Sequence, residues 1–147
     1  MTILAVLENE QALHGFTELI ASVQPDAELM CFSSSLPALA AARRSEIDTA
    51  ILDVALPDLD GLEFGQYLQD LYPLVNLIYL SDSHEGAFEA MNQHASGYLI
   101  KPATRDLFTR EFADLRHPAV QKNQKRLFAQ TFGNFDLFVD GKPVVFK

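Results

Sequence analysis

Five short apolar runs recur along the chain, each followed by a stretch with helical spacing, and this alternation restricts the fold more than any other feature. "TILAVL" reads as a strand, after which Leu13, Phe16, Ile20 and Val23 recur at helical intervals. "ELMCF" is a second strand, and "SSLPALAAARR" then opens with serines and an early proline, a helix-start signal. "TAILDV" is a third strand that ends at Asp53, and "GLEFGQYLQDLY" is a helix stopped before Pro73. "NLIYL" with "EGAFEAMNQH" forms a fourth pair. "GYLI" forms the fifth with "TRDLFTREFADLR", where Leu107, Phe108, Glu111, Phe112 and Leu115 keep a helical pattern. Strands alternating with helices pair in parallel through right-handed crossovers. Helices then cover both faces of the sheet, so the strands are apolar nearly throughout.

A chain of 147 residues fits one domain with a fragment of another. Apolar residues make up 48%, enough for a sizeable core. No apolar run reaches membrane-spanning length, and "MTILAV" is too short and lacks the basic start of a signal peptide. The lone Cys31 excludes an intramolecular disulfide and reads as a buried thiol of a cytoplasmic protein. His14, His84, His94 and His117 show no metal-ligand spacing. Charge is uneven: residues 1–115 carry 18 acids against five Lys and Arg, whereas residues 116–147 carry two against six. The acidic part repels a nucleic-acid backbone, and the tail alone tolerates one.

In parallel sheets of this kind, ligands bind outside the carboxyl ends of the strands. Glu8 follows the first strand, Asp53 ends the third, Ser81 the fourth and Lys101 the fifth. An acidic pair holds Mg²⁺, a hard cation that prefers oxygen. A hydroxyl and an ammonium bind phosphoryl oxygens. The set is coherent for phosphoryl transfer onto a carboxylate. Glu10, in contrast, reads as a helix N-terminal acid that favours the dipole.

With these residues in place, the chain resembles a response-regulator receiver domain of bacterial two-component signalling over about residues 1–116. The motifs are "ILDVALPDLDG" around Asp53, "YLSD" at Ser81 and "SGYLIKP" at Lys101, in order and each at a strand end. The resemblance implies a flavodoxin-like (βα)5 doubly wound parallel sheet of strand order 2-1-3-4-5. It implies Asp53 as phosphoacceptor from a sensor histidine kinase. Mg²⁺ would be held by Glu8, Asp53 and the backbone carbonyl of Ala55. Lys101 and Ser81 would bind the phosphoryl group. Ser81 and Tyr98 would act as the switch, and Pro102 would follow a cis peptide bond. Phosphorylation is then a local charge event that biases a two-state element.

Two departures stand out. Members of the family usually carry two acids at the end of the first strand, and here Leu7 takes the first slot and Glu8 the second. After Ser81, where a small residue is usual, stands Asp82. Weakened Mg²⁺ binding and slow or conditional phosphorylation are the expectation. The alternative is a degenerate receiver that works as a phosphorylation-independent interaction or dimerisation module. A carboxylate-nucleophile phosphatase needs an acid two residues after Asp53, where Ala55 stands, so no enzyme is expected.

Residues 117–128 read as a linker. In residues 129–147, alternating Phe135, Leu137 and Val139 precede an Asp140-Gly141 turn and then Val144, Val145 and Phe146, a β-hairpin pattern. This stretch is similar to the opening strands of the winged-helix DNA-binding domains of OmpR-type and SARP-type transcription regulators. DNA binding would then belong to a longer parent protein, because the recognition helix is not in these residues. A homodimer formed through the sticky edge of such a hairpin is a second expectation.

Overall fold

A parallel sheet joins β1 (Thr2–Val6), β2 (Glu28–Phe32), β3 (Thr49–Asp53), β4 (Asn76–Ser81) and β5 (Gly97–Ile100) in the order β2-β1-β3-β4-β5. The structure is a computed structural model and describes residues 1–118; the rest of the expected linker and the expected hairpin lie outside them. Between the strands run α1 (Glu10–Leu13), α2 (Phe16–Val23), α3 (Ser35–Arg44), α4 (Gly61–Leu71), α5 (Ala87–Asn92) and α6 (Arg105–Ala113). Val6 lies opposite Leu52, Asp53 opposite Leu80 and Ser81 opposite Ile100. The strand ends are therefore level, and the residues just past them emerge along one rim. The chain winds first to β2 and then back to β3, so the switch point lies beside the end of β1.

Alternation along the strands sorts the core into two layers. Leu4, Leu52, Leu77 and Tyr79 pack with α3, α4 and Ala90 of α5. Ile3, Ala5, Ile51, Ile78 and Leu80 pack with Phe16 and Ile20 of α2 and with Phe108 and Phe112 of α6. Phe16 and Phe108 meet edge to face at 5.9 Å, which closes that layer. Among the described residues, no helix is long and apolar enough to cross a membrane.

Three local expectations change. The apolar spacing from Leu13 to Val23 predicts one helix, but the structure has two. His14 is extended and Gly15 is left-handed at φ 80°, which ends α1 after one turn and starts α2. Space at Gly15 is open, so the backbone conformation alone calls for glycine. Cys31 is half-buried rather than buried, because β2 is an edge strand. Its thiol pKa is pushed up by that partial burial. Finally, Ser34 stands at the N-cap of α3, yet its side chain makes no capping bond. Asp58, from the loop after β3, accepts the Ser35 N–H instead.

Candidate functional site

Asp53 is the last residue of β3 and only 1% exposed. A buried carboxylate needs partners for both oxygens, and it has them. Oδ1 accepts the Ala55 N–H at 3.1 Å, and Oδ2 accepts Lys101 Nζ at 2.7 Å. The same ammonium reaches Glu8 Oε1 at 2.9 Å. Lys101 follows β5 directly, its N–H is bonded to the Ser81 carbonyl, and the Lys101–Pro102 peptide bond is cis. Burial pulls the Lys101 ammonium down, but its hydrogen bonds to Asp53 and Glu8, and their charges, outweigh this and raise its pKa. The ammonium thus bridges two carboxylates from strands on either side of the switch point.

The start of α4 presses against Asp53. A Cβ on Gly61 would fall on the Asp53 carbonyl oxygen, so glycine is the residue that lets the helix begin there. Asp60 caps α4 by accepting the Leu62 N–H, and Gly61 N–H closes onto the Val54 carbonyl at 2.9 Å. Asp58 accepts the Ser35 N–H with both oxygens, at 3.2 and 3.1 Å, and this bond holds its carboxyl below its ordinary pKa.

Ser81 ends β4 and is 8% exposed, but its hydroxyl is not bonded to Asp53 or Lys101; it accepts the Ser83 N–H at 3.2 Å. Tyr98 lies in β5 away from the carboxylates. Its hydroxyl donates to the Ser83 carbonyl at 2.8 Å and accepts the Gly86 N–H at 3.1 Å. Ser83 therefore links the hydroxyls of Ser81 and Tyr98, a role that no motif in the sequence marked. Asp82 is exposed at the start of the same loop.

Leu7 is 3% exposed and belongs to the core layer of α2 and α6. It walls a cleft of about 380 Å³ lined by Glu8, Asp53 and Lys101 together with the apolar Phe16, Leu80 and Phe108. One side of the Asp53 site is therefore apolar.

The sequence profile described as "Response regulator receiver domain" matches residues 3–112. The chain belongs to the response regulator receiver family. An uncharacterised response regulatory protein of Vibrio cholerae is 32% identical over 106 residues, covering 69% of this chain and 40% of that protein. The transcriptional regulatory protein CreB of Escherichia coli is 34% identical over 99 residues, covering 66% of this chain and 43% of CreB. In both cases the match spans less than half of the relative's length. A receiver domain protein from Clostridium thermocellum superposes with a TM-score of 0.70 at 25% identity, covering 86% of this chain and 98% of that one. The fold is thus that of the family, and the chain contains the receiver of a two-component response regulator, a signalling domain.

Receivers in general bind Mg²⁺ at the phosphorylation site. In this receiver two carboxylates, Glu8 and Asp53, lie on one ammonium, and Ala55 sits against Asp53. The two carboxylates are hard oxygen donors, and a backbone carbonyl such as that of Ala55 is another. Mg²⁺ is commonly held through one or two carboxylates with water completing the octahedron, so the set fits the ion. The fit is a reduced one, since the buried Leu7 offers no oxygen.

Proposed function

We propose that this receiver accepts a phosphoryl group on Asp53 from the phosphohistidine of a sensor kinase. An Asp53 oxygen attacks phosphorus in line, the P–N bond breaks as the P–O bond forms, and the imidazole leaves. The observation that carries this reading is the Asp53 carboxylate itself, buried at a strand end with one oxygen on the ammonium of Lys101 and the other on the Ala55 N–H. Lys101 then moves from the carboxylate to the phosphoryl oxygens and balances their charge. Ser81, at the end of β4, turns its hydroxyl from the Ser83 N–H to a phosphoryl oxygen, and the exchange reaches Tyr98 through Ser83. Glu8, Asp53 and the Ala55 carbonyl hold Mg²⁺, which when bound neutralises charge on the transferring group. With one acid fewer and Lys101 already between the remaining two, that ion binds weakly.

The output is transcriptional on this reading, in support of which stand the likeness to CreB, a transcriptional regulatory protein, and the hairpin pattern of residues 129–147. The domains are then a receiver at 1–116, a linker at 117–128 and the start of a winged-helix effector at 129–147.

A second reading is favoured by Leu7 and Lys101: a site closed by its own ammonium serves as an interaction module that takes no phosphate. Acetyl phosphate with Mg²⁺, followed by intact mass, separates the two. One phosphoryl group on the wild type and none on Asp53→Asn supports the first reading, with slow labelling that speeds up at high Mg²⁺. No labelling at any Mg²⁺ concentration, and no change in Tyr98-region NMR signals with beryllofluoride, supports the second.

A further inference from the structure

The β3–α4 loop, residues 54–60, presents Ala55 to Asp53, and its anchors are unevenly spread. At its start Val54 N–H is bonded to the Leu80 carbonyl at 2.9 Å, and Ala55 N–H to Asp53. At its end Gly61 returns to Val54, and Asp60 caps α4. In the middle, Leu56 and Leu59 rest against the core, Ala55 and Asp60 pair in an isolated antiparallel bridge across the loop, and Asp58 is the side chain that ties the loop to a distant element. Its carboxylate spans to Ser35, 23 positions earlier in the chain, and takes that N–H with both oxygens. The helix it reaches is one whose own N-cap side chain makes no capping bond. An anion beside the first turn of α3 is favourable for the helix dipole, so the contact satisfies a helix end and fastens a loop together.

We propose that Asp58 is a positioning residue for the phosphorylation site: by capping α3 from outside, it fixes the middle of the β3–α4 loop and so the place of the Ala55 carbonyl. The inference rests on the reading of Asp53 and Mg²⁺ given above. A backbone carbonyl has no side-chain freedom with which to find a metal, so its position is that of its loop. Groups that orient a metal's ligands from behind commonly matter tenfold or more for affinity.

The test uses Asp58→Ala, Asp58→Asn, and Asp58→Ala combined with Ser34→Asp in the full chain. The combination gives α3 a cap of its own while leaving the loop untied. Three quantities are measured: thermal midpoint, amide exchange at Ala55 and Gly61, and the Mg²⁺ dissociation constant from amide shifts. Asp58→Ala is expected to speed loop exchange and to weaken Mg²⁺ about tenfold. Asp58→Asn, which keeps an acceptor oxygen, retains most of both. Ser34→Asp restores the thermal midpoint but neither loop exchange nor Mg²⁺ affinity. Unchanged exchange in Asp58→Ala overturns the proposal. Recovery of all three quantities with Ser34→Asp also overturns it, because Asp58 would then act on the helix alone. If the wild type takes no Mg²⁺, the reading of the site fails, and the exchange data still decide whether Asp58 holds the loop.

Discussion

The two faces of the sheet are sealed by different means. On the face of α2 and α6, the contact is hydrocarbon: Phe16, Ile20, Phe108 and Phe112 close over Ile51, Ile78 and Leu80. On the face of α3, α4 and α5, polar groups run through the packing. The buried Tyr79 donates its hydroxyl to Gln93 Oε1, and Gln93 Nε2 donates to the Leu62 carbonyl at 2.9 Å. Tyr72 donates to the Ala42 carbonyl, and Asp58 reaches α3. Tyr98 holds the loop before α5. The first face is a hydrocarbon base, and the second is held by specific polar partners.

Removing the base gives the largest effect. Phe108 is 1% exposed and packs on Phe16. Phe108→Ala is expected to cost about 3–5 kcal/mol in denaturant unfolding. A loss below that of Tyr79→Phe would break the comparison. On the polar face the informative pair is Gly65 and Tyr79, because a Cβ on Gly65 would collide with the Tyr79 hydroxyl. Burial first, then the charges of Glu89 and Asp60, push the pKa of that phenol up, so it stays a donor. Gly65→Ala alone is expected to cost about 1–3 kcal/mol through overpacking. In a Tyr79→Phe background the hydroxyl collision is gone, but the ring carbon at 2.8 Å still crowds the new Cβ, so the same change is expected to cost less rather than to gain, with helix propensity offsetting about 1 kcal/mol. Equal effects in both backgrounds would show that the hydroxyl does not set the fit.

The sheet was legible because its strands are apolar runs with turn signals between them. Glu8, Asp53 and Lys101 were legible as residues at or just past strand ends, where the topology brings side chains to one rim. What escaped the sequence joins distant residues through groups with no pattern of their own. The Asp58–Ser35 contact depends on how a loop lies across a helix start, while a serine at the helix start already looks like a sufficient cap. Ser83 joins Ser81 to Tyr98 by its backbone, which any residue type supplies. The break at Gly15 was hidden because the apolar spacing continues across it.

Tyr98→Phe should cost about 1 kcal/mol, the usual net value of a hydrogen bond. Its clearer mark would be amide shifts at Ser83 and Gly86, seen by NMR, with α2 and α6 unaffected. Shifts in α6 of equal size would mean that the base moves as well.

The smallest effect lies where the hydrocarbon face reaches its rim. Glu111 of α6 is half-buried against β5, where a Cβ on Gly97 would run into its carboxylate. Among the described residues that carboxylate makes no hydrogen bond or ion pair. Burial first, and then the charge of Asp114, raises its pKa above the ordinary 4.5. A carboxyl that is more basic when folded binds its proton more tightly in the folded state. Its stabilising contribution is therefore full below the ordinary value and is lost as pH rises through the raised one. At neutral pH the ionised group is a slight cost. Glu111→Gln should then gain at most about 0.5 kcal/mol, a figure kept low because solvent screens a group this exposed. The gain should shrink as pH falls toward about 4, where the wild-type carboxyl carries a proton in the fold. Thermal midpoints of the two proteins across that range check the sign. A Glu111→Gln protein less stable than wild type at neutral pH would mean that the carboxylate has a favourable partner, and that the rim of the hydrocarbon face is polar by design.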